Sequence, residues 1–110
     1  MSPDFLEFLK DQLASFGPVT VKRMFGGAGL YREGVMFGLV DSENLYLKAD
    51  KGTREAFEAE GLLPFSYRTK HGTNTLTSYW RAPERCFDDP DEMAAWAERA
   101  WAVALRARKP

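Results

Sequence analysis

Apolar positions along this 110-residue chain change their spacing several times, and each change marks an element. Phe5, Leu6, Leu9, Leu13 and Phe16 recur every three or four residues, which predicts a helix over 3–16. Ser2-Pro3-Asp4 supplies its start: a capping hydroxyl, a proline at the first helical position and an acid facing the positive end of the dipole. Gly17-Pro18 ends it, because glycine accepts a left-handed cap and proline cannot continue a helix.

From Val19 the spacing becomes two. A strand over 19–25 closes at Gly26-Gly27. Two more strands, 28–31 and 35–40, join at a tight turn through Glu33-Gly34, and Asp41-Ser42-Glu43-Asn44 turns the chain into a fourth strand over 45–48. Short strands with small polar turns between them predict an antiparallel meander. Asp50 is placed to cap a second helix running to about residue 60, stopped by Gly61, with Ala56 and Phe57 inward and Ala59 beside them. Strands over 64–68 and 75–81 form a second hairpin around His71-Gly72-Thr73-Asn74.

Asp89-Pro90-Asp91-Glu92 then gives the clearest helix start in the chain, with Asp89 as cap, Pro90 first in the helix and Glu92 completing a capping box. Met93, Trp96, Ala97, Ala100, Trp101, Ala104 and Leu105 form the apolar stripe of a helix over 89–107. Arg106, Arg108 and Lys109 suit its negative end. The order is α-β-β-β-β-α-β-β-α. It predicts an α+β two-layer sandwich in which helices cover one face of an antiparallel sheet.

Composition narrows the class without changing the architecture. Residues 1–110 suffice for one domain, and 45% hydrophobic with 28% charged residues is globular composition. Three Trp, 4 Tyr and 8 Phe supply a core that needs no metal or disulfide staple. Cys86 is the single cysteine, so no disulfide forms within the chain and a reducing compartment is the simpler expectation. The N-terminus carries no positive leader and no apolar run nears the roughly 20 residues of a membrane span, which predicts a cytoplasmic protein away from membranes. Net charge is −1, whereas autonomous nucleic-acid binders carry a basic excess that neutralises phosphates. Strong direct nucleic-acid binding is therefore disfavoured. Arg68, Lys70 and Arg81 still make the second hairpin locally basic.

Few residues offer chemistry. Gly26-Gly27-Ala28-Gly29 resembles a phosphate loop, but a strand rather than a helix follows and no Lys-Ser/Thr pair ends it, so a sharply turned or bulged hairpin is the better reading. His71 is the only histidine and sits beside a turn glycine. Cys86, next to Phe87, reads as a small buried hydrophobe. One His and one Cys cannot build the common metal or Cys-His catalytic sites, and Asp88, Asp89, Asp91 and Glu92 read as a helix cap. The expectation is no enzyme, no cofactor and no metal. Two segments are less easily absorbed by packing: Lys22-Arg23 beside Met24-Phe25-Gly26-Gly27, and Ser78-Tyr79-Trp80-Arg81. Mixed arginine and aromatic side chains are what binding hot spots use, although sheet surface explains them as well. The candidate partner-binding set is Lys22, Arg23, Phe25, Gly26, Gly27, Tyr79, Trp80 and Arg81. Strand alternation lets only one of Lys22 and Arg23 point away from the helices, and Lys22 or Arg81 is favoured outward.

These segments also carry a family likeness. Residues 22–31, 34–40 and 45–48, then Phe57 with Gly61, Pro64-Phe65-Ser66-Tyr67 and Ser78-Tyr79-Trp80-Arg81-Ala82-Pro83, resemble the N-terminal domain of the TfoX/Sxy competence regulators over roughly residues 10–103. The resemblance implies a fold of the type III secretion-chaperone kind and a non-enzymatic co-regulator acting through a protein partner. A transcription factor such as the cyclic-AMP receptor protein is the implied candidate. The C-terminal helical domain of full-length regulators is not part of this sequence. The oligomeric expectation is a monomer or a homodimer. Two rivals stay open: a small-ligand-binding protein or enzyme using a pocket between sheet and helix, and a weak nucleic-acid binder using Lys22, Arg23, Arg68, Lys70 and Arg81.

Overall fold

A computed structural model describes residues 3–24 and 26–108. The elements are α1 (Pro3–Gln12), β1 (Thr20–Met24), β2 (Gly27–Arg32), β3 (Val35–Asp41), β4 (Asn44–Lys48), α2 (Arg54–Glu58), β5 (Pro64–Thr69), β6 (Gly72–Arg81), a 3₁₀ turn (Glu84–Phe87) and α3 (Pro90–Ala107). All six strands form one antiparallel sheet in the order β1-β2-β3-β4-β6-β5. The α+β class and the succession of elements agree with the sequence pattern, with the short 3₁₀ turn added before the last helix.

Strand register sorts the side chains onto two faces, since residues directly opposite each other share a face. Leu30, Val40, Leu45, Leu47 and Trp80 belong to the face that the helices cover, and all are buried. Leu6, Leu9 and Leu13 from the α1 segment, Phe57 from α2, and Met93, Trp96 and Ala100 from α3 close over them. Phe57 stands edge-on to Trp96 with ring centroids 5.0 Å apart.

A bulge in β3 decides part of this core. Leu30 pairs with Gly38 and Tyr31 with Met36, so Phe37 is the extra residue. It turns into the core against Phe16, ring centroids 5.0 Å apart. Below the bulge Met36 lies opposite Tyr31 on the uncovered face.

The ends of the elements correct several expectations. The α1 segment tightens after Gln12 into bonds that span three residues, Ala14 N–H to Asp11 O at 3.2 Å and Phe16 N–H to Leu13 O at 3.0 Å, so the helix proper stops before residue 16. Capping by Ser2 falls outside the described residues. Helix α2 spans Arg54–Glu58 rather than 51–60, because the Asp50 carboxylate accepts the N–H groups of Gly52 (3.0 Å) and Thr53 (3.1 Å) and holds them in a turn ahead of the helix. In the second hairpin Thr69 pairs with Gly72, so the turn is Lys70-His71 and β6 begins three residues earlier than its apolar pattern suggested.

At α3, Asp89 does cap, accepting from Asp91 N–H at 2.9 Å and Glu92 N–H at 3.4 Å. Glu92 does not close the box. Its carboxylate receives Arg85 Nε at 2.6 Å and Trp96 Nε1 at 3.3 Å instead, and Arg85 also bridges to Glu60, tying the α2 exit to α3. The apolar stripe of α3 rotates slightly from its expected position: Val103 is buried, Leu105 is exposed and Trp101 is half-buried.

Candidate functional site

The face of the sheet away from the helices is as apolar as many cores. Met24, Met36, Leu39, Tyr46, Phe65, Tyr67, Leu76 and Tyr79 stand on it, and most of them line a groove of about 510 Å³. Two features make the face concave. Gly29 has no side chain, and a Cβ there would fall 2.9 Å from both Met24 Cε and Tyr31 Cε1, so those side chains close over it. At the other end, β5 and β6 slip in register: Pro64 pairs with Trp80 but Phe65 pairs with Leu76. Thr77, Ser78 and Tyr79 are thereby left out of the β5 ladder. Ser78 O accepts from Ala49 N–H at 2.9 Å, and Thr77 O accepts the Trp80 indole N–H at 2.9 Å. Beyond this break the β5–β6 hairpin becomes an arm whose Phe65, Tyr67 and Leu76 wall the groove opposite Met24. Tyr67 and Leu76 remain 42% and 37% exposed.

Cations rim the same face. Lys22 lies opposite Gly29 with its Nζ 4.8 Å from the centre of the Tyr31 ring, and Lys48 Nζ sits 4.9 Å from the Tyr79 ring. Arg81 lies opposite Tyr46, and its Nε is buried with no hydrogen-bond partner. It reaches an adjoining cleft lined by Tyr46, Pro64, Ser66 and Glu84. Asp41 is the acid among the groove's lining residues.

The structure divides the eight sequence candidates. Lys22, Tyr79 and Arg81 share the open face, and Lys22 rather than Arg23 turns away from the helices. Arg23, opposite Ala28, lies on the helix side and borders a cleft with Leu6, Glu7 and Lys10. Trp80 is not a surface residue: it is buried opposite Leu47 and packs on Phe57. Gly26 makes the β1–β2 turn at φ 81°, and Gly27, where a Cβ would come within 2.5 Å of Val40 O, serves the hairpin and also lines the groove. Phe25 lies outside the described residues. Met36, Leu39, Tyr46, Lys48, Phe65, Tyr67 and Leu76 were missed, although one signal pointed to them. In β3 the residues alternating with the core include Met36 and Leu39, and in β4 Tyr46 stands between Asn44 and Lys48, so the middle of β3 is apolar on both sides and β4 adds an aromatic ring to the outer one.

The titratable groups here favour recognition over proton transfer. Burial, with the nearby Tyr31 adding to it, pushes the Tyr79 phenol up to about 12. Burial also raises Tyr46, against the opposing pull of the Arg81 charge. Both therefore stay neutral donors at physiological pH. Burial raises the Cys86 thiol to about 11, which leaves it a poor nucleophile, and it faces the core. Among the described residues no group of three His, Cys, Asp or Glu side chains could hold a metal ion, and no helix is long and apolar enough to cross a membrane.

Fold and surface together define a small α+β domain with an apolar groove on the open face of its sheet and cations on the same face. A family model, the TfoX N-terminal domain, matches residues 11–104, and the chain belongs to that family. Comparison with curated proteins gives no match.

Proposed function

We propose that this protein is a non-enzymatic regulatory or adaptor module of the cytoplasm, and that it works by holding a protein partner on the open face of its sheet. Membership of the TfoX N-terminal domain family supports a regulatory role. A transcription factor is the partner that fits this family, with the cyclic-AMP receptor protein as the first to test. The observation that carries the reading is the apolar groove itself, flanked by Lys22, Lys48 and Arg81. Apolar patches of this kind, rimmed by polar groups, mark interaction sites on soluble domains.

Tagged protein recovered from its native cells tests the reading. Lys22→Ala removes an exposed charge, and Arg81→Ala removes a guanidinium whose Nε already lacks a partner, so both should leave thermal stability nearly unchanged. Recovery of the partner should nevertheless weaken by roughly 1–2 kcal/mol for each, while Lys51→Ala, an exposed control beyond the groove, has no effect. Equal recovery from all three variants contradicts the reading.

The groove volume of about 510 Å³ also falls in the ~300–1,000 Å³ range of small-molecule sites. It supports a second reading, an apolar small ligand, placed on the open face instead of between sheet and helix. A thermal-shift screen with apolar ligands separates the two.

A further inference from the structure

The shape and charge of the groove select its occupant. Its floor and walls are apolar, running from Met24 at one edge strand across Leu39 to Tyr67 and Leu76 on the arm. A trough between two hairpins suits a rod with one apolar side, which is the geometry of helix-in-groove recognition. An added strand fits less well, because the free edge of β1 carries Lys22 and Arg23, and charged edge residues discourage strand pairing.

Charge then sets the polar side of the rod. Lys22 and Lys48 stand over the tyrosines of this face, and Arg81 holds a buried Nε without a partner. Arg68 and Lys70 lie at the exposed end of the arm. Against these stand Asp41 in the lining and Glu84 in the cleft that Arg81 borders. Arg32, Arg85 and Arg106 each meet a carboxylate of this chain, whereas Lys22 and Lys48 on the open face stand over tyrosine rings. Arg81 is only partly buried as a residue, and the accessible part of its guanidinium, like the Lys22 and Lys48 ammonium groups, is suited to a charge-assisted bond with an incoming carboxylate.

We propose that the groove binds an acidic amphipathic helix of a partner protein, its apolar side against Leu39, Phe65 and Leu76 and its carboxylates facing Lys22, Lys48 and Arg81. This assignment rests on the adaptor reading and names the chemistry of its partner. Nucleic acid would use the cations and leave the apolar floor bare. A second copy of this chain would bring like charges against them.

The test uses the full chain and a fluorescein-labelled synthetic helix with Leu at positions i, i+3, i+4 and i+7 and Glu elsewhere. A twin with Lys in place of Glu, a scrambled Leu/Glu isomer and a labelled DNA duplex serve as comparisons. The Leu/Glu helix should bind at least about tenfold more tightly than each of them. Leu76→Ser and Arg81→Ala should each weaken it by about tenfold, with circular dichroism confirming that both variants fold, and Lys51→Ala should not change it. The proposal is overturned by equal binding of the Leu/Glu and Leu/Lys helices, by preference for DNA, by absence of binding, or by indifference to Leu76→Ser and Arg81→Ala. Concentration-dependent dimerisation abolished by Leu76→Ser also overturns it, since the face would then belong to a second copy. Failure here while cellular recovery still depends on Arg81 removes the acidic helix and keeps the adaptor. Peptide binding without that dependence does the reverse.

Discussion

Cys86 shows how a single residue separates packing from chemistry. Its side chain is fully buried, and its backbone O accepts from the Gln12 amide at 2.9 Å, so the residue joins the 3₁₀ turn to α1. Burial raises the thiol from 9.0 to about 11, and burial likewise raises Tyr79 from 10.0 to about 12. Both are neutral when protonated, so the unfolded chain releases these protons first as pH rises. Their stabilising contribution is complete below pH 9.0 and falls through the window from there to about 12. Urea unfolding at about pH 8 and about pH 10.5 should therefore show a lower midpoint at the higher pH, and native Cys86 should resist a thiol reagent that labels the unfolded chain readily. A flat midpoint would place both groups nearer water, and fast native labelling would do so for Cys86.

Arg32 is the residue that sequence could not have assigned. Its guanidinium lies 4.6 Å from the Phe16 ring and 5.3 Å from the Trp101 ring and meets Glu98 Oε1 at 3.4 Å. It joins the end of the α1 segment to α3 through contacts 16 to 69 residues apart along the chain, which no local pattern encodes.

Among the elements, α3 was the most legible and still turned differently from its pattern. Seven apolar residues at helical spacing predicted the stripe, yet a 3.6-residue period leaves the width and centre of a stripe open to its neighbours. The sheet chooses Met93, Trp96, Ala97, Ala100, Val103 and Ala104. Trp96 is buried between Phe57 and the Arg99 guanidinium, whose centre lies 4.7 Å from its ring, while Trp101 is half-buried under Arg32. Trp96→Ala should therefore cost about 3–5 kcal/mol. Trp101→Ala should cost less, about 1–2 kcal/mol, most of it ordinary partial burial and a cation–π contact. Chemical denaturation of the two variants checks the order, and a larger loss at Trp101 would put the stripe back where the sequence pattern placed it. The strands were legible where apolar and polar residues alternate, and illegible at the two register slips. Phe37 enters the core only because an extra residue sits in β3, and Tyr79 reaches the open face beside a break in the β5–β6 ladder. Slips of this kind are set by pairing between strands, which a single strand's pattern does not contain.

For the whole molecule, fold class and element order follow from local signals, because capping residues, turn glycines and period changes each report on their own few residues. The two faces of the sheet do not. The candidate set drawn from Lys22-Arg23 and Ser78-Tyr79-Trp80-Arg81 straddled them, since neighbours along a strand point to opposite sides. Only the register assigns Lys22, Tyr79 and Arg81 to the open face, and Arg23 and Trp80 to the helix side. What the sequence did hold, and what becomes readable with the register in hand, is that β3 carries Met36 and Leu39, and β4 carries Tyr46, on the side that no helix covers. The central claim is that this second apolar face, and not the helical layer, meets the partner. Photo-crosslinking in the native cell tests it directly, with a benzophenone amino acid placed at Tyr67 or Leu76 on the groove wall, or at Ala95 or Ala102 on the exposed side of α3. The account predicts a discrete protein adduct from Tyr67 and Leu76 and none from Ala95 and Ala102. Adducts formed from the α3 positions alone would contradict it.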